Sequence, residues 1–176
     1  MARSWRVRLM LLIVVMLALA GFGGYWAVAA MIRSSAAAPF KAHLAEYLAP
    51  TVGPGQAAPV GGKMVVVDKN TQDIDSDVFF GLPDALRASR PEEVGTVVWL
   101  EYGRERGMGV YGNDHLPSFI QTCKVTVIDQ ASRSVIATTL LHGGAPPETI
   151  NEGAKEGVGP RPTAEVIAYL KGLPRQ

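Results

Sequence analysis

Asp114 and His115 stand side by side in this 176-residue chain, and His142 closes an apolar run further on. These three are the candidate catalytic side chains, because a carboxylate that grips one imidazole nitrogen leaves the other to act as a base. Adjacency in sequence does not by itself make that hydrogen bond. His142-Gly143-Gly144 has the form of an oxyanion loop, but no G-x-S-x-G elbow is present to offer a serine nucleophile. A histidine that ends a strand before a turn is the simpler reading. With histidines only at 43, 115 and 142, no two have the local spacing of zinc ligands, and His43 reads as a helix-surface residue.

Oxygen donors cluster at Asp68, Asn70 and Asp73, followed by Asp75 and Asp77. The first three are the candidate metal ligands, since calcium takes hard oxygen donors. The calcium-loop register fails, however. Counted from Asp68, the position that needs glycine holds Asp73, and the one that needs glutamate holds Phe79. Gly107, Gly109 and Gly112 spell G-x-G-x-x-G after a strand, yet only residues 113–118, with Pro117 among them, precede the next strand. That is too short for a helix whose amino end would face a pyrophosphate, so no cofactor is expected. Cys123, the only cysteine, alternates with apolar neighbours and reads as a small buried hydrophobe; no internal disulfide can form.

A sheet must hold these residues. Lys63 to Asp68 is a valine-rich strand that ends in turn residues, and a partner strand is expected around Asp73 to Phe80. Pro83 to Ala88 is read as a short helix. Gly95 to Tyr102 is apolar on both faces and therefore central. Phe119 to Ile128 alternates, a turn occupies Asp129 to Ser134, and Val135 to Leu141 returns as the second strand of a hairpin. A helix from Pro162 to Lys171, with Val166, Ile167 and Leu170 as its buried stripe, stops at Gly172. The expected fold class is α+β, with a mainly antiparallel sheet of four to five strands and a C-terminal helix over residues 63–176.

Lys124 to Asp129, Ser134 to Thr138 and Gly143 to Pro147 together resemble a single YVTN-type β-propeller repeat. The resemblance covers residues 124–147 and implies a strand, a turn and a strand. A propeller needs at least about four such blades, so the resemblance carries the hairpin and no function.

Residues 9–32 contain no charged side chain, and Arg3, Arg6 and Arg8 precede them. As a helix this run would measure about 36 Å, against a hydrocarbon core of about 30 Å. The expectation is a single-pass transmembrane signal-anchor in the plasma (inner) membrane. Residues 1–8 would be cytoplasmic and the C-terminal domain extracytoplasmic. The alternative is a signal peptide cut after Ala27-Val28-Ala29, which would leave a secreted domain. Ala20, Gly23, Gly24 and Ala27 have the small-residue spacing that permits self-association in the bilayer. Residues 33–48 are read as a juxtamembrane short helix, with Phe40, Leu44, Tyr47 and Leu48 on one face. Residues 49–62 are read as a Pro/Gly linker, and 63–176 as the exported domain.

All sixteen acidic residues and fourteen of the basic ones lie beyond residue 32, a near-balance that argues against nucleic acid as a partner. Three functional expectations follow. The first is an envelope protein whose exported domain binds or scaffolds a partner protein. The second is a small exported enzyme or ligand binder that uses the Gly- and Pro-rich stretch 143–161, a reading that a pocket with converging His115, His142, Asp114 or Arg161 would favour. The third is the same domain secreted free.

Overall fold

A computed structural model describes residues 33, 35–53, 59–112, 115–151 and 153–175. The chain divides into two units, Met1–Ala38 and Pro39–Gln176. Residues 33 and 35–38 of the first are helical. The second opens with a helical stretch broken by a turn at residues 42–43, after which α1 (Leu44–Tyr47) ends the segment.

Valine-rich sequence makes the centre of the second unit. β1 (Lys63–Asp68) turns through residues 69–72 into β2 (Asp73–Ile74), its short antiparallel neighbour. Asp75 then accepts a hydrogen bond from Val78 N–H at 2.9 Å, a side-chain cap that starts α2 (Ser76–Gly81). This cap is why Asp73 to Phe80 forms two strand residues and a helix where a strand is expected. Residues 83–88 form a turn and an extended stretch in place of the expected short helix. There Met64 N–H donates to Leu86 O at 2.7 Å and Ala88 N–H to Met64 O at 3.0 Å, so the main chain is pulled onto β1.

β3 (Val94–Tyr111) follows, parallel to β1, with Val66 beside Val98 and Val67 beside Trp99. β4 (Leu116–Asp129) returns antiparallel along the whole of β3, and β5 (Val135–His142) pairs antiparallel with β4. This is the hairpin implied at residues 124–147. β6 (Gly157–Val158) joins β4 in parallel, and α3 (Thr163–Lys171) closes the unit. The sheet order is β2-β1-β3-β4-β5, with β6 on β4.

The expected mainly antiparallel sheet of four to five strands is therefore corrected, among the described residues, to a mixed sheet of six strands with few helices. The difference arises because the crossover through residues 69–93 brings β3 back parallel to β1. A second correction concerns the membrane. Against the expected single-pass transmembrane placement and the localisation built on it, no helix among the described residues is long and apolar enough to cross a membrane. α3, with nine residues, is roughly 14 Å long against about 30 Å of hydrocarbon. Residues 9–32, with Ala20, Gly23, Gly24 and Ala27, lie outside the described residues.

Register fixes which side chains share a face. Val66, Val98, Val127 and Ala137 lie on one face, continued by Leu100, Val125, Tyr102 and Cys123. On this side Asp75, at the head of α2, reaches Tyr102, and α3 packs against α2 and β5 with Val166 and Leu170 buried. Each such buried valine or leucine contributes roughly 1.5–3 kcal/mol. Val67, Trp99, Thr126 and Thr138 mark the other face. There the Trp99 indole N–H donates to Tyr47 O at 2.9 Å. The described ends of the 49–62 stretch are also tied down. Val52 N–H donates to Arg133 O, Val135 N–H to Gly53 O, and Val60, buried, donates through its N–H to Pro174 O at 2.9 Å.

Candidate functional site

β3 and β4 outrun their neighbours as a two-stranded ribbon that ends at Tyr111 and Leu116. A bulge between Arg106 and Val110 absorbs the glycines there, and Ser118 Oγ donates to Gly109 O at 2.7 Å to hold it. Gly107 and Gly109 thus lie within β3, which forms an irregular hairpin with β4, and Gly112 takes a positive φ at its tip.

Residues 143–160 fold back along this ribbon. Gly143 N–H donates to Gln121 O at 2.7 Å, Gly159 N–H to Phe119 O at 2.9 Å, and Gln121 Nε2 to Gly159 O at 2.9 Å. Arg104 lies over the Phe119 ring and pairs with Glu156 at 2.8 Å. The Tyr111 hydroxyl donates to Pro147 O at 2.5 Å. Gly157 leaves room here for the Tyr111 ring, which a Cβ at that position would strike.

Between the ribbon tip and residues 148–155 lies a cleft of about 510 Å³. Tyr111, Leu116, Ile150 and Ala154 give it apolar walls, and Glu148 and Lys155 supply both signs of charge. Its volume falls inside the roughly 300–1,000 Å³ typical of ligand sites.

The described candidate residues named from sequence are not brought together in the cleft. His115 occupies the tip turn with φ 53°, next to Leu116 on the cleft wall, while Asp114 lies outside the described residues. His142 Nε2 is 3.3 Å from Glu105 Oε2, both on the open sheet face. Arg161 stacks 3.9 Å above the Tyr102 ring with Nη2 3.8 Å from Asp68 Oδ2. His142 and Arg161 are thus held by separate acids and do not converge.

The acidic run is consumed by turns and pairs. Asp68 Oδ1 accepts from Asn70 N–H at 2.7 Å and Thr71 N–H at 3.3 Å. The Asn70 carboxamide accepts from Tyr102 N–H at 2.8 Å and donates to Tyr102 O at 3.2 Å, so it stands in for the next residue of a strand beside β3. Asp73 accepts from Lys41 at 2.6 Å, which holds its carboxyl below the usual range. Among the described residues no three His, Cys, Asp or Glu side chains are placed to hold a metal. Cys123 is fully buried, and burial above all, with Asp75 nearby, pushes its thiol up to about 12.

Fold and cleft define a small mixed-sheet domain with a ligand-sized groove at one end of its ribbon. Comparison with family models, with curated proteins and with solved structures finds no match for the chain. Sequence reasoning singled out the 143–161 stretch but not Tyr111, Leu116 or Ile150. The usable signal was Gly157 and the isolated apolar Ile150 in a polar loop.

Proposed function

We propose that residues 39–175 form a binding module that receives an apolar segment of a partner protein in the cleft between the ribbon tip and residues 148–155. The composition of the cleft carries this reading: Tyr111, Leu116, Ile150 and Ala154 line it while Glu148 and Lys155 bracket it. An apolar side chain buried there gains roughly 25 cal/mol per Å² removed from water, and the flanking charges fix its direction. A protein segment suits the site because its walls are a ribbon and a loop, open along one side, with charges of both signs to meet a polar main chain. The dispersal of His142 and Arg161 away from the cleft supports binding over chemistry.

A displayed library of random peptides panned on the full-length chain tests this reading. Enriched peptides should share an aromatic or branched apolar anchor, and Ile150→Asp should weaken them about tenfold or more while leaving the circular dichroism spectrum unchanged. A library that yields no common anchor, or binders indifferent to Ile150→Asp, overturns it.

A further inference from the structure

β5 is the last strand on its side of the sheet, and part of its main chain faces outward. Gly143 N–H donates to Gln121 O, so alternation along this antiparallel pair puts Leu141, Thr139 and Ala137 in hydrogen-bonded pairs with Cys123, Val125 and Val127. The N–H and C=O groups of Thr138, Leu140 and His142 must then point away from β4. Among the described residues none of these groups has a backbone partner. The one irregularity in the pairing falls at Val127/Ile128, which leaves the stretch from Ala137 to His142 regular.

Sheet edges are ordinarily blunted by lysine, proline or a bulge; the bulge of β5 lies at its start, where Val135 N–H is already taken by Gly53 O, and Ala137 to Leu141 carries no charge, proline or bulge. Leu140, in the middle of this stretch, is 50% exposed. Outward main-chain groups in strand geometry beside an exposed leucine call for another strand.

We infer that β5 pairs antiparallel with β5 of a second copy of this chain about a two-fold axis at Leu140. Outward-facing residues must meet outward-facing residues, and this axis sets Leu140 opposite Leu140 and Thr138 opposite His142. The charges are compatible: no two like charges oppose each other, and the threonine hydroxyl meets the imidazole. A head-to-tail alternative lacks a matching strand. The opposite edge offers only the two residues of β2 and then the β3 margin with exposed Arg104 and Arg106. The symmetric arrangement covers the open edge of both copies at once, which no single foreign strand does.

Leu140→Cys in the full-length chain tests the axis, because hydrogen-bonded antiparallel partners have Cα atoms about 5.5 Å apart, within disulfide reach, and Cys123 is buried. Mild oxidation should give a covalent dimer much faster than with Asp84→Cys, an exposed position away from this edge. Leu140→Lys sets like charges face to face and should weaken the dimer at least about tenfold in sedimentation, with unchanged circular dichroism. Crosslinking no faster at 140 than at 84 overturns the inference, as does a dimer indifferent to Leu140→Lys. A chain that stays monomeric at about 100 µM does so too.

Discussion

The Tyr102 hydroxyl donates to Asp75 Oδ2 across 2.9 Å, while Asp75 Oδ1 accepts from Val78 N–H at the same distance. One buried carboxylate thus caps α2 and satisfies a β3 side chain, so it fastens helix to sheet. Asp75→Ala removes the cap, worth about 1 kcal/mol, and strands the half-buried Tyr102 hydroxyl, at roughly 1–3 kcal/mol. The urea midpoint should fall by the equivalent of about 2–4 kcal/mol with an unchanged slope. Asp75→Asn keeps a capping oxygen and should lose less. Equal midpoints for Asp75→Ala and the native chain would show that neither bond contributes.

Cys123 is fully buried on the Tyr102 face of β4, and its thiol is pushed up to about 12 because a thiolate there would lose its water. At pH 8 roughly one molecule in ten thousand carries the reactive anion. A thiol reagent should therefore label the native protein slowly, and its rate should rise with urea along the unfolding curve. The thiol also contributes a pH dependence: its stabilisation is complete below its ordinary value of 9.0 and is lost as pH rises toward about 12. Stoichiometric labelling within minutes at pH 8 would place the thiol in an open site.

Acid should act through depressed carboxyls. Glu93 accepts first from Ser89 N–H at 2.9 Å, then from Lys63 Nζ at 3.1 Å and from Arg90, and its carboxyl is held down at about 2. Because the folded chain prefers the anion, this stabilisation is present above the ordinary value of 4.5 and is lost as pH falls through about 2. Glu101, Asp73 and Asp129 are lowered in the same direction, chiefly by hydrogen bonds from Lys69, Lys41 and Ser132. Urea midpoints should be flat near neutrality and fall below about pH 4.5, and Glu93→Gln should flatten part of that fall. An acid limb unchanged by Glu93→Gln would assign the effect to the other three.

Local pattern was enough for the strands at 63–68 and 135–142 and for the helix that ends at Lys171, because each shows its own period in consecutive side chains. What failed was non-local. Val78 and Phe79 look like strand residues until Asp75 is recognised as a cap. The parallel pairing of β1 with β3 leaves no trace in the sequence, since a short helix and turns make the crossover in place of the usual long helix. The Asp68–Asn70–Asp73 run looked like a metal loop, but Asn70 was occupied in copying a strand for Tyr102, a contact 32 residues away. The cleft is more remote still, for Tyr111 and Ile150 become neighbours only after residues 143–160 fold back along the ribbon.

Gly157 and Gly143 separate the shape of the cleft from the anchoring of its loop. A Cβ at Gly157 would strike the Tyr111 ring, a side chain that can swing away at the cost of its 2.5 Å bond to Pro147 O. Gly157→Ala should therefore reshape the cleft wall, lowering the affinity of a selected peptide about tenfold while costing under about 1.5 kcal/mol of stability. A Cβ at Gly143 would strike the main-chain oxygen of Pro160, which has no such freedom. Gly143→Ala should push residues 157–160 off β4 and cost about 1–3 kcal/mol, read as a lower urea midpoint. If Gly157→Ala binds the peptide as tightly as the native chain, Tyr111 is not a wall of the binding site, and the contact must lie on the Ile150 side alone.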